Sequence, residues 1–146
     1  MPEPSQAVAS RQPASKELAF PGDPESLAAS REALMNFIGP HCSGDIEEVD
    51  ILIALQEALA NAVLHGSRND PGKTIHCWVE IDALAFTITV RDAGPGFDVQ
   101  AAVRAVESGT NITPTGRGIL MMRSLMDEVV YRSGGSEVQM RKLRAG

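Results

Sequence analysis

The chain has 146 residues and a formal net charge of −6, with 13 Lys and Arg against 19 Asp and Glu. That length suits one domain with a sizeable core rather than two, and the acidic balance argues against direct nucleic-acid binding, which needs clustered cations for phosphates; the basic stretch Arg141-Lys142-Leu143-Arg144 is too short to reverse it. Two cysteines, Cys42 and Cys77, suggest neither a disulfide framework nor a metal-ligand pair, no stretch approaches the length of a membrane span, and the opening MPEPSQAVASRQPAS lacks the apolar core of a secretory signal, so a cytoplasmic protein without membrane contact is expected.

Residues 1–15 are poor in large apolar side chains and are expected to form a flexible extension, with the folded domain covering 16–146. Glu17 to Phe20 reads as a short first strand ended by Pro21-Gly22. Asp23 then makes an N-cap with Pro24 at the first helical position, and Leu27, Leu34, Phe37 and Ile38 keep a helical stripe until Gly39-Pro40. A second helix is expected from Asp45, with Glu48 reaching back as in a capping box, to Gly66. Ile51, Leu52, Leu55, Leu59, Ala62 and Val63 give it a broad buried face.

Thr74 to Asp82 and Leu84 to Asp92 alternate as two strands of a hairpin, and Val99 to Val106 reads helical. Glu107 to Thr115 has no sustained apolar pattern and is expected to be a mobile loop that orders over a bound ligand. Gly116-Arg117-Gly118 opens a third long helix, Ile119 to Met126, and a last hairpin runs from Val129 to Leu143 around Ser133-Gly134-Gly135. Helices on one face of a mixed, mostly antiparallel sheet make a two-layer α/β sandwich.

Three places carry chemistry. Glu57, Asn61 and His65 recur every fourth residue and share one stripe of an otherwise apolar helix; alone, that stripe also fits the solvent-facing rim of an amphipathic helix. Asp92-Ala93-Gly94-Pro95-Gly96 ends a strand with a carboxylate and bare backbone, which alone fits a turn. Gly116 and Gly118 at a helix start would let free backbone N–H groups approach phosphate oxygens, while Arg117 between them fits either a phosphate neighbour or a solvated helix-start residue.

EALANAVLHG, DAGPGF and TGRGILMM, in that order, resemble the N, G1 and G2 boxes of the gyrase, chaperone, histidine-kinase and mismatch-repair ATPases, the GHKL superfamily with its Bergerat ATP-binding fold. Within it the chain is most similar to the anti-sigma factor serine kinases of bacterial partner-switching systems, over roughly Glu17 to Leu143. The resemblance implies ATP and Mg²⁺ as cofactors, Asp92 as acceptor for the adenine amine with Gly94 and Gly96 letting backbone close over the nucleotide, and Asn61 as Mg²⁺ ligand. It further implies Glu57 as general base for an attacking serine hydroxyl, Gly116, Arg117 and Gly118 at the phosphates, Ser136 beside the adenine, and Arg31 at a partner interface. Implied partners are an anti-sigma factor antagonist of STAS type, a sigma factor and a second copy of the chain. Thr113-Pro114-Thr115 lacks the basic residue that some of these kinases present to their substrate protein. A non-catalytic ATP-gated binding module is the alternative, whereas the catalytic half of a histidine kinase would need a phospho-accepting helical hairpin that no segment here supplies.

Overall fold

Strand alternation divides the sheet into a buried and an open face. The computed structural model describes residues 13–44, 46–109 and 114–145. Its strands are β1 (Ala14–Pro21), β2 (Thr74–Ile81), β3 (Ala85–Arg91), β4 (Glu128–Arg132) and β5 (Glu137–Leu143). They form one five-stranded sheet in the order β1-β2-β3-β5-β4, and every neighbouring pair is antiparallel. Ile75, Cys77, Val79 and Ile81 of β2, Phe86, Ile88 and Val90 of β3, and Val138 and Met140 of β5 point into the core, while His76, Trp78, Thr87, Thr89 and Gln139 alternate to the other face.

Four helices supply the second layer: α1 (Pro24–Ile38), α2 (Glu48–Asn61), α3 (Val99–Glu107) and α4 (Pro114–Leu125). Leu34, Ile38, Ile51, Leu55, Leu59, Ile119 and Met122 seal against the sheet. Asp23 caps α1, its Oδ1 accepting from Ser26 N at 2.8 Å, and Asp98 caps α3 through Ala101 N at 2.9 Å. A short 3₁₀ turn, Gly39–His41, follows α1 where Gly39-Pro40 was expected to stop it.

Several boundaries differ from the sequence expectations. Strand β1 starts at Ala14, which pairs with Ile81 as Ser15 does with Glu80, so the last two residues of the expected extension belong to the sheet; residues 1–12 lie outside the described residues. Helix α2 starts at Glu48 with Glu47 as its N-cap and, among the described residues, no side-chain capping bond. Asp45, the expected cap, lies outside the described residues. Ile46 is buried in the core and its N–H donates to Ser43 O at 2.9 Å, so a tertiary contact places the helix start. Leu52, expected on the buried face, is 36% exposed.

Beyond Asn61 the helix widens into a π turn, Ala62–Ser67, closed by Arg68 in a left-handed conformation. That twenty-residue segment, Glu48–Ser67, has a mean hydropathy of 1.2, enough in length and composition for a membrane span. The expectation that no stretch approaches one is therefore corrected. Its apolar face is spent on the core: Ile51, Ala54, Leu55, Ala58, Leu59, Ala62 and Val63 are all buried.

Helix α4 begins at Pro114, so Gly116 and Gly118 lie within it instead of ahead of it. Of the expected loop, Glu107 ends α3, Pro114 and Thr115 begin α4, and 110–113 fall outside the described residues. The basic C-terminal stretch is used internally: Arg144 donates to Asp82 O and His41 O, each at 3.1 Å, and Lys142 Nζ to Leu125 O at 2.7 Å.

Candidate functional site

The end of β3, the C-terminal part of α2 and the β4–β5 turn meet at one cavity. Because β5 pairs with β3 and Arg91 lies opposite Glu137, the Ser133–Gly135 turn backs onto the segment after β3. Asp92 N donates to Ser136 O and Phe97 N to Gly134 O, both at 2.9 Å. Asn61, Asp92, Phe97, Tyr131 and Ser136 line the cavity, with Ala58, Ala62, Val90 and Val138 as its apolar wall. The free space is about 10 Å³, room for one water molecule. That space is smaller than an adenine ring.

Asp92 is held from two sides. Its Oδ1 accepts from Gly94 N at 2.8 Å, and desolvation raises its carboxyl above the ordinary value, opposed by that bond and by the charges of His65 and Lys73. Bare backbone makes this possible. A Cβ on Gly66 would stand 2.0 Å from Asp92 Cγ, and one on Gly94 would stand 2.6 Å from Gly66 Cα. Gly96 has φ +80° and faces Gly134 O, which a Cβ would meet at 2.1 Å. The glycines of DAGPG thus serve first the approach of one chain segment to another.

On α2, Asn61 turns its amide into the cavity, and Nδ2 is buried without a hydrogen-bond partner among the described residues. Glu57, one turn earlier, stands outside, lining an open groove with Arg117, Gly118 and Met121. A Cβ on Gly118 would come within 2.5 Å of Glu57 Oε2, so that glycine makes room for the carboxylate. Gly116 instead faces α3, where a Cβ would meet Ala102 O at 2.5 Å. Only the first four N–H groups of a helix lack ladder partners; Gly116, the third residue of α4, is among them, whereas Gly118, the fifth, is past them. Arg117 is exposed.

Ser136 lines the cavity, but its Oγ donates to Ser133 O at 3.0 Å, within its own turn. His65 leaves the stripe of Glu57 and Asn61 because the π turn breaks the α-helical phase; its Nε2 bonds Thr115 Oγ1, and its ring stacks on Phe97 at 5.4 Å. Arg31 Nη1 donates to Gln56 Oε1, beside exposed Leu52 and Ile53 and next to Glu57.

Tyr131, Phe97, Gly66 and the Thr115 hydroxyl are site residues that sequence reasoning did not single out. Gly66 follows the third polar residue of the helical stripe and ends the run EALANAVLHG. Tyr131 had none, since an aromatic residue on an alternating strand reads as core.

A family model for the histidine kinase-like ATPase domain matches residues 20–142 of the chain. The chain is 29% identical over 118 residues to an anti-sigma F factor of Geobacillus stearothermophilus, an alignment that covers 80% of this chain and 81% of that one. It is 30% identical over 132 residues to an anti-sigma F factor of Clostridium acetobutylicum, covering 86% and 91%, and 28% identical over 114 residues to one of Halalkalibacterium halodurans, covering 77% and 78%.

Proposed function

The chain belongs to the histidine kinase-like (GHKL) ATPase family, alongside the anti-sigma factors, and from that premise we propose that it is an ATP-dependent serine/threonine protein kinase acting as an anti-sigma factor. It phosphorylates an antagonist protein of STAS type and alternately sequesters a sigma factor, working as a cytoplasmic homodimer. The observation that carries the reading is the grouping of Asn61 and Asp92 in one cavity with Glu57 a single turn away at an open groove.

Adenine recognition falls to Asp92. One carboxylate oxygen is engaged by Gly94 N, leaving the other to accept from the exocyclic amine, where guanine would present O6 and set two acceptors against each other. Ser136 stands at the same cavity. A Mg²⁺ ion suits the donor set, because it takes few protein ligands and completes its shell with water and phosphate oxygens; Asn61 would hold it through Oδ1, and its charge would offset that of the β- and γ-phosphates. Arg117, with Gly116 and Gly118 of the same helix turns, stands on the phosphate side.

Glu57 accepts the proton of a serine hydroxyl on the antagonist as that oxygen bonds to the γ-phosphorus and ADP leaves with the bridging oxygen. Its groove is open, as a protein substrate requires. The apolar surface of Leu52 and Ile53 with Arg31 borders it and offers a docking face.

The test is transfer of label from Mg-ATP to the antagonist encoded beside this gene. Glu57→Ala is expected to keep nucleotide binding and to slow transfer by about 10²–10⁴-fold, whereas Asn61→Ala reduces both. Transfer at the normal rate by Glu57→Ala would remove the general-base role. Nucleotide binding with no transfer by the wild type would favour the ATP-gated binding module.

A further inference from the structure

Two polar atoms at the nucleotide cavity are sealed from solvent without a hydrogen-bond partner among the described residues: Asn61 Nδ2 and the hydroxyl of Tyr131. Both residues line the same cavity. A buried polar group left unmet costs about 1–3 kcal/mol, and two at one wall are more economically explained together than separately. The chemistry matches, since an amide nitrogen only donates and a phenol oxygen accepts.

Tyr131 does not depend on Asn61 for its place. It lies on β4 opposite Val138, and its ring meets Phe97 edge-on at 5.8 Å and 81°, with Phe97 itself stacked on His65. Burial pushes the phenol up to about 12, a rise that the neighbouring Asn61 amide and the Arg123 charge oppose. The Asn61 amide is near enough to bear on the phenol although the pair is not in hydrogen-bond geometry. Such contacts commonly tighten only when ligand is bound.

We propose that Tyr131 is a positioning residue that accepts from Asn61 Nδ2 and so fixes which end of the amide is presented to the metal. With the nitrogen held against the phenol, Oδ1 is directed away from it and is free to bind the cation. Without that anchor, the amide can rotate and offer nitrogen, which does not ligate. The inference rests on the reading of Asn61 as the Mg²⁺ ligand, and Tyr131 acts on the metal through Asn61. Outer partners of this kind typically contribute about 10–100-fold in metal affinity.

The experiment measures the affinity of the full chain for a non-hydrolysable ATP analogue by calorimetry, with Mg²⁺ and with chelator, for wild type, Tyr131→Phe, Asn61→Ala and the double variant. Tyr131→Phe keeps the ring and its contact with Phe97, so the thermal midpoint without nucleotide is expected to stay near the wild-type value. The expected result is a loss of about tenfold or more in the Mg²⁺-dependent gain of affinity, little change in chelator, and no additional loss when Tyr131→Phe is placed on Asn61→Ala. A full Mg²⁺ gain in Tyr131→Phe, while Asn61→Ala loses it, overturns the inference and leaves the proposed function standing. Equal weakening with metal and with chelator also overturns it, because it marks a cavity-shape effect. No Mg²⁺ gain in the wild type overturns the metal role of Asn61 and this inference together.

Discussion

Asp92 follows β3 directly, with one oxygen on Gly94 N and the rest of its carboxylate desolvated against Gly66. Its carboxyl is raised in the fold, so the native state holds that proton more readily than the unfolded chain. The stability this contributes is present below the ordinary carboxylate value and is lost as pH rises through the raised one. At neutral pH the charge is a cost that nucleotide recognition justifies. Asp92→Asn keeps an acceptor for Gly94 and removes the charge, so its thermal midpoint at pH 7 without nucleotide should equal or exceed that of the wild type, the difference shrinking toward pH 4. ATP affinity should fall by about 1–3 kcal/mol. Thermal unfolding at both pH values, with calorimetry at pH 7, checks this; an Asn variant less stable than wild type at pH 7 would contradict the burial account.

At the scale of elements, the ends matter more than the interiors. Helix α2 is regular where its apolar stripe is regular, and its π turn begins after Asn61, redirecting His65 toward Thr115 and Phe97. The strand β5 continues into Arg144, a buried cation whose guanidinium reaches Asp82 O and His41 O and stands 4.9 Å over the Phe86 ring. That side chain ties the β2–β3 turn to the segment after α1. Arg144→Ala should lower stability by about 2 kcal/mol without altering ATP affinity, and Arg144→Lys should not restore it, because one ammonium lacks the planar fork that spans two carbonyls. Urea unfolding of both variants reads the effect, and a wild-type midpoint for Arg144→Ala would show that these bonds contribute nothing net.

Across the whole molecule, the cavity draws its walls from segments distant in the chain: Asn61, Asp92, Tyr131 and Ser136. Ligand bound there stabilises the native assembly of all of them by linkage, about 2.7 kcal/mol at a hundredfold excess over Kd. Mg-ATP and ADP should accordingly raise the thermal midpoint by roughly 5–10 °C, and GTP should leave it unchanged. An equal rise with GTP in a melting series would remove Asp92 as the adenine reader.

The local pattern of the sequence determined most of the elements and the polar residues worth watching. Alternation marks the β2–β3 hairpin, Asp23-Pro24 marks the start of α1, and EALANAVLHG, DAGPGF and TGRGILMM carry the family because each is a contiguous run whose meaning does not depend on what lies opposite. Tertiary structure decided what those runs face. The insertion of β5 between β3 and β4 brings Gly134 and Ser136 to Asp92 and Phe97, and no local periodicity specifies strand order. Likewise the start of α2 is placed by the burial of Ile46, the need for Gly66 by the carboxylate it admits, and the position of Tyr131 by its partners across the sheet and cavity. These are contacts between residues far apart in the chain, and a side chain's partner at such separation is a property of packing.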